Sequence, residues 1–298
     1  MTMPLGGDQP LVDPHAHFHT ARSSRPDWAA VNRSRLTAGE RIGVRVHVAS
    51  ILGTWGRSSP TYFASPADLT HANAEMLALA AASGGRVRAW VAVNPNFPEH
   101  AQTEITRGVA AGAIGLKLAA GRRCTHRATH DPLARRCAEL GWPILQHVWQ
   151  HRAHPTTMQD ASNGTDVAEW AARHPDVRFL LAHIGGGGDW AHTLPAIAAV
   201  PNVVVDASGS GIDRGMLDAA LEALGTRRVL WAADLTLCTG LTKLWALEQV
   251  GLDADGVADV RWRNAARLFP PGSLAEGLSR PVDGELAAGL APWMTAPC

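Results

Sequence analysis

Short apolar runs rich in Val, Ile and Leu alternate along this chain with longer Ala-, Leu- and Glu-rich segments, the pattern of repeated βα units. Eight runs predict strands, near 11–17, 44–52, 87–94, 114–118, 143–148, 178–184, 202–207 and 228–234. Helical segments are expected between them, among others at 65–82, 100–111, 132–140, 165–173, 215–224 and 242–250. Eight parallel strands with intervening helices in 298 residues suggest an α/β fold, a (β/α)8 TIM-type barrel with its chemistry at the C-terminal strand ends. The competing architecture is a doubly wound open sheet, which concentrates its ligand contacts at one switch point. The barrel is favoured because polar residues close many of the strands. The chain reads as one barrel domain over 1–298. Pro270 and Pro271 stop the last helix, and 272–298 is expected to be a C-terminal tail, packed on the barrel or partly mobile.

The sharpest chemical signal lies in the first strand, Val12-Asp13-Pro14-His15-Ala16-His17-Phe18. Side chains two apart on a strand share a face, so His15 and His17 converge as half a site for zinc or another borderline divalent ion. Four later apolar runs each carry one polar residue near the C-terminal end, in the order Lys117, His147, His183, Asp234. A lysine inside Ile114-Gly115-Leu116-Lys117-Leu118-Ala119 needs a partner, because a buried unpaired ammonium is costly. Asp234, closing Val229-Leu230-Trp231-Ala232-Ala233, needs a cation or hydrogen bonds for the same reason. A lone strand histidine is more often a hydrogen-bonded core residue than a ligand. For His147 the competing reading is a solvated histidine-rich loop, since His151 and His154 follow. His183 sits between an apolar strand and the glycines Gly185 to Gly188, which lack a G-x-G-x-x-G frame and read as a turn beside the site. Asp13 and Asp206 read either as groups orienting histidines or as local turn formers.

Composition narrows the partners. The formal net charge is zero with 46% hydrophobic residues, which argues against a nucleic-acid binder and for a small-molecule substrate. Cys124, Cys137, Cys238 and Cys298 lie far apart and read as free thiols, which places the chain in the cytoplasm. No apolar stretch reaches the ~18 residues of a membrane span, so no membrane partner is expected. A homo-oligomer is possible, since barrels of this kind often associate. Among the loops, Arg57, Arg122 and Arg123 stand as donors for an anionic substrate group, against the commoner role of solvated surface arginine. There are eleven tryptophans against one tyrosine; Trp28, Trp55, Trp149 and Trp190 are placed near the mouth as an aromatic wall. Arg57, Arg122 and Trp149 are the substrate-binding candidates.

With these motifs in order, the chain resembles the amidohydrolase superfamily, and more closely its amidohydrolase-2 branch related to aminocarboxymuconate-semialdehyde decarboxylase. The resemblance spans nearly the whole chain: Asp13-x-His15-x-His17, Gly115-Leu116-Lys117-Leu118, the His147 strand, Leu181-Ala182-His183-Ile184-Gly185-Gly186, the Asp234 strand and Asn264-Ala265-Ala266-Arg267-Leu268-Phe269. It implies that His15, His17 and Asp234 bind one metal, with His147 as a further ligand. In a binuclear version Lys117 is carboxylated and bridges two ions, with His147 and His183 on the second. In a mononuclear version His147 completes one shell and His183 stays available as acid or base, with Lys117 pairing to a site carboxylate or a substrate anion. The family's usual Gly-Ser-Asp is here Ala232-Ala233-Asp234, which keeps the carboxylate in altered surroundings.

The leading expectation is a metal-dependent hydrolase that cleaves an amide, lactam, lactone or ester-like bond of a small molecule. Zinc is its expected ion, manganese or iron being alternatives, and one or two ions would be bound. Asp234 would shuttle the proton of a metal-activated water, and His183 would hold a second ion or stabilise the oxyanion. The alternative is a mononuclear lyase that decarboxylates or hydrates a small carboxylic acid, with His183 carrying the proton. An inert barrel retained for binding ranks last, because all six ligand positions are filled.

Overall fold

A computed structural model describes residues 9–23, 25–52, 64–148, 160–185, 190–209, 215–234 and 237–295. Eight parallel strands follow one another around a nearly closed barrel in chain order: β1 (Leu11–His17), β2 (Val44–Ser50), β3 (Val87–Val93), β4 (Gly115–Leu118), β5 (Ile144–Gln146), β6 (Phe179–Leu181), β7 (Val203–Asp206) and β8 (Val229–Leu230). Eight helices alternate with them: α1 (Trp28–Arg41), α2 (Pro66–Ala82), α3 (Pro98–Ala110), α4 (Arg127–Leu140), α5 (Gly164–Arg173), α6 (Trp190–Ala198), α7 (Met216–Leu224) and α8 (Leu237–Gln249). Short helices α9 (Ala254–Ala258), α10 (Asn264–Leu268), α11 (Ala275–Ser279) and α12 (Leu286–Gly289) follow. The circle is drawn together by a parallel bridge between Ala16 and Asp234, where the Asp234 amide donates to the His15 carbonyl at 2.7 Å.

Strand alternation sorts side chains into two layers. Val12, Val46, Val48, Trp90, Leu145, Leu180, Ala182 and Leu230 fill the barrel interior. Its N-terminal end is plugged by Ala265, Leu268 and Phe269 of the α10 segment, Phe269 meeting Trp90 at 4.9 Å between ring centres. Gly115 is required where Trp90 leans across the interior, since a Cβ there would lie 2.2 Å from the indole. The outward layer, with Leu11, Val44, Ala89, Leu116, Ile144, Phe179, Val205 and Val229, packs under the helices. With the lower interior filled by apolar side chains, chemistry is left to the C-terminal strand ends.

One irregularity decides where the histidines point. Between Asp13 and Ala16 the pairing of β1 with β2 slips by one residue, from Asp13 opposite His47 to Ala16 opposite Ala49. This bulge at Pro14 breaks the alternation. Asp13 therefore lies in the outer layer beside His47, while His15 and His17 face inward.

The segment after α10 packs on the barrel as far as it is described. Arg45 donates to the Leu278 carbonyl at 2.9 Å and Arg86 to that of Pro281 at 3.2 Å. Trp293 meets Trp28 of α1 at 5.9 Å.

Several expectations need adjustment. Helix α4 starts at Arg127 and carries Pro132 inside it, its first turn held by the Thr129 hydroxyl on the His126 carbonyl at 3.1 Å. The strands expected to run to 184 and 234 stop at Leu181 and Leu230. His183, Ile184 and Asp234 take left-handed backbone conformations, φ 63°, 47° and 54°, which turn the chain off the strand direction.

Candidate metal centre

Three acceptors converge at the barrel mouth. His15 Nε2 and His17 Nε2 lie 3.2 Å apart, and Asp234 Oδ1 lies 3.6 Å from the first and 3.3 Å from the second. An ion with ligand bonds of about 2.0–2.2 Å spaces its ligand atoms about 3–3.6 Å apart in octahedral or tetrahedral coordination. The cluster therefore has the spacing of a divalent-metal cage, and two imidazoles with one carboxylate form a donor set that suits such an ion. The distances do not select zinc over other divalent ions.

Neighbouring groups orient the lone pairs. His17 Nδ1 lies 3.2 Å from the Ser50 carbonyl, an obligate acceptor, so it carries the proton and Nε2 the lone pair. His15 Nδ1 donates to Asp206 Oδ2 at 2.9 Å, which again leaves Nε2 as the lone-pair nitrogen. Asp206 Oδ1 accepts the amides of His183 and Ser208, both at 3.0 Å, together with the Ser208 hydroxyl. With its proton committed to Asp206, Ser208 Oγ accepts from His183 Nδ1 at 2.9 Å, so His183 Nε2 takes the hydrogen of His147 Nδ1 at 3.3 Å. One buried carboxylate thus sets the tautomers of three histidines. Gly209 keeps this region open: φ is 82°, and a Cβ would lie 2.7 Å from His183 Nδ1.

Electrostatics follow from burial. Desolvation holds His15, His17 and His147 below the usual imidazole range and pushes His183 down to about 4, so these rings are neutral ligands or bases at pH 7. Burial alone would raise Asp206 and Asp234, but the surrounding histidines outweigh it and keep both ionised. Lys117 is 1% exposed, with Nζ 2.9 Å from His15 Nε2. Burial lowers its pKa to about 8, while Asp234 and Asp206 oppose the fall. A protonated Lys117 donates to the very lone pair that a metal would use.

The structure thus brings His15, His17, Lys117, His147, His183 and Asp234 together. A second group of potential ligand atoms, on His15, His183 and Asp206, lies around Asp206. There the carboxylate already accepts four hydrogen bonds and His15 presents its protonated nitrogen.

The loop candidates fare differently. Arg123 is engaged elsewhere: its guanidinium pairs with Asp160 at 3.3 Å and Asp166 at 3.6 Å, tying the β4–α4 connection to the first turn of α5 and the segment before it. Arg122 is half-buried, and its amide donates to Asn96 Oδ1 at 3.1 Å. Arg57, Trp55, Trp149, His151, His154 and Gly186 to Gly188 lie outside the described residues. Trp28 packs on Trp293 and the outer layer, and Trp190 lines an apolar cleft between α6 and α7.

Ser208, Ser50, His47 and Arg35 belong to the site's surroundings and carried no expectation. Ser208 had a readable signal, two residues beyond Asp206 on the same face. Arg35 had none, since it reaches in from a helix.

The family model described as Amidohydrolase, of the amidohydrolase-2 type, matches residues 12–270. Sequence comparison with curated proteins finds no match. Among solved structures, 5-carboxyvanillate decarboxylase from Sphingomonas paucimobilis is similar, with TM-score 0.65 and 17% identity over 88% of this chain and 99% of that one. So is 2,6-dihydroxybenzoate decarboxylase from Rhizobium, with TM-score 0.64 and 16% identity over 87% and 98%. Dihydroxybenzoic acid decarboxylase from Polaromonas sp., solved with bound manganese and the inhibitor 2-nitroresorcinol, gives TM-score 0.65 and 15% identity over 87% and 96%. With the barrel, the inward histidine pair and the closing aspartate in place over the matched span, this chain belongs to the amidohydrolase-2 family.

Proposed function

We propose that this chain is a metal-dependent decarboxylase, a lyase acting on a small aromatic carboxylic acid. The expectation of hydrolysis is corrected: the similar structures 5-carboxyvanillate, 2,6-dihydroxybenzoate and dihydroxybenzoic acid decarboxylase, which share nearly the whole fold, are decarboxylases of substituted benzoic acids. A physical reason points the same way. The binuclear arrangement needs His183 to serve a second ion beside His147, yet both ring nitrogens of His183 are engaged, Nδ1 with Ser208 and Nε2 with His147 Nδ1. The observation that carries the reading is the cage of His15, His17 and Asp234 with neutral His183 close by, its ring stacked 5.1 Å from that of His15.

His15, His17 and Asp234 would hold the ion, with His147 as a fourth ligand through Nε2. When bound, the ion supplies positive charge that anchors and polarises an anionic substrate. Decarboxylation breaks the bond from the ring carbon to the carboxylate, releases carbon dioxide and requires a proton at that carbon. We assign the proton transfer to His183: its neutral Nε2, the lone-pair nitrogen facing His147, would take one proton from solvent water and pass it to the ring carbon as carbon dioxide leaves, so the ring gains the proton that the water gives up. Lys117 is not assigned as a ligand: it is a cationic partner of Asp234 and Asp206 in the metal-free chain and would become a neutral amine when the ion binds. Arg122, and Arg57 and Trp149 beyond the described residues, remain our candidates for contacts to the substrate. Manganese is the first ion to test and zinc the second.

The test is release of labelled carbon dioxide from carboxyl-labelled hydroxybenzoic acids by Mn2+-loaded protein. Release by the native chain and its loss in His183→Gln at unchanged metal content support the reading. Full activity in His183→Gln overturns the assignment of the proton, and cleavage of lactones or amides without carbon dioxide overturns decarboxylation.

A further inference from the structure

Asp234 is a metal-ligand candidate in a left-handed conformation that is uncommon for a non-glycine residue, though aspartate tolerates it better than most. A non-glycine residue at φ 54° costs about 1–2 kcal/mol, so its neighbours must hold it there. In front, its amide is fixed by the His15 carbonyl at 2.7 Å. Behind it stands a buried polar cluster that the metal site does not itself use. Arg35, projecting from α1 and 7% exposed, donates through Nη2 to the Asp234 carbonyl. The same guanidinium lies 3.6 Å, through Nη1, from Asp13 Oδ2, and Nη1 has no hydrogen-bond partner of its own. Asp13, fully buried, accepts the Ala233 amide on Oδ1 at 3.0 Å and sits 3.2 Å from His47 Nδ1 on Oδ2.

The arrangement is a clamp on the two-residue segment Ala233–Asp234. Asp13 holds the Ala233 amide, Arg35 holds the Asp234 carbonyl, and the two clamping groups are each other's counter-charges. Both lie in the outer layer because the β1 bulge turns Asp13 away from the histidines. A buried charge pair is costly to keep for stability alone, since desolvation offsets its attraction. What this pair fixes is the direction in which the Asp234 side chain leaves the backbone.

Resting on the metal-site reading above, we infer that Arg35 is a positioning residue that aims the Asp234 carboxylate into the metal cage, with Asp13 as its brace. Partners that orient metal ligands typically contribute 10–100-fold in metal affinity. A purely structural arginine lowers stability without coupling to Asp234.

The test is a double-mutant cycle on Mn2+ affinity alone, with free Mn2+ read by electron paramagnetic resonance and no substrate present. The variants are Arg35→Met, Asp234→Asn and both together. Arg35→Met is expected to weaken Mn2+ binding 10–100-fold in the native background and by less than about twofold when Asp234→Asn is already present. Arg35→Lys, which keeps the charge and one donor, should recover part of the loss. Equal losses in both backgrounds, or none, overturn the positioning role. Native affinity in Asp234→Asn overturns the ligand assignment and the inference with it, whereas a loss there but none in Arg35→Met overturns the inference alone. Should Arg35→Met fail to fold, Arg35→Lys runs the same cycle, and native affinity in it counts against the role.

Discussion

Replacing Lys117 with methionine keeps the length of a buried side chain and removes the cation whose Nζ lies 2.9 Å from His15 Nε2. A metal cannot share that lone pair with an ammonium, and at about 4 Å an additional positive charge opposes it by about 4 kcal/mol per unit charge at an effective dielectric of 20. Metal binding therefore selects the neutral amine. Burial places the Lys117 pKa at about 8, His183 at about 4, and His15, His17 and His147 below 6.5. Among the described groups around the cage, Lys117 is the one with a pKa near 8, the histidines lying below their usual range. Metal affinity should then rise about tenfold per pH unit up to about pH 8 and level off above it, leaving the native chain about 100-fold weaker at pH 6 than at its plateau. Lys117→Met should lose this slope and bind at pH 6 about as tightly as the native chain does at pH 9. The assay is Mn2+ titration against a competing chelator from pH 6 to 9, with and without bicarbonate. Two results refute the reasoning: a native slope in Lys117→Met, or loss of metal at every pH in that variant, which would make Lys117 a ligand through a carboxylated amine.

Asp206→Asn removes the acceptor that sets the His15 and His183 tautomers, and should cost 10–100-fold in Mn2+ affinity on a folded chain. Asp206 and Asp234 titrate lower in the folded chain than in the unfolded one, so their stabilisation is present above about pH 4 and lost as pH falls through their folded values. Urea midpoints from pH 7 to 3 should drop on the acid side, and less steeply in Asp206→Asn. Trp90→Ala empties the barrel interior between Gly115 and Phe269 and should destabilise by about 3–5 kcal/mol in urea unfolding. Arg123→Ala breaks only a partly exposed pairing with Asp160 and Asp166, and should change stability by less than about 1 kcal/mol while leaving KM for an aromatic acid unchanged.

Much of this centre is legible in the sequence because strand alternation and burial cost act locally. His15 and His17 are two apart, and Lys117, His147 and Asp234 each interrupt an apolar run that would not otherwise tolerate them. The strand order needed no more than the alternation of runs. What escapes is set by long-range packing. Helix α1 lacks an apolar stripe, since its buried face is Asn32, Arg35, Leu36, Gly39 and Glu40; no periodicity announces it, and Arg35 gives no sign that it will meet Asp234 199 residues later. The bulge that turns His15 and His17 inward while sending Asp13 outward depends on pairing with β2. Asp206 appeared as a group able to orient a histidine, but its hold on His15 and, through Ser208, on His183 emerges only when β1, β6 and β7 are brought together. The reaction class is not legible for a related reason: the same ligand types serve hydrolysis and decarboxylation, and the hydrogen bonds that engage both nitrogens of His183 are a property of the fold.

The most direct measurement is the rate of carbon dioxide release from a carboxyl-labelled dihydroxybenzoic acid as metal-free protein is titrated with Mn2+. The account predicts that release rises linearly and saturates at one ion per chain. Saturation at two ions per chain, or turnover of lactone or amide substrates with no carbon dioxide formed at any loading, contradicts it.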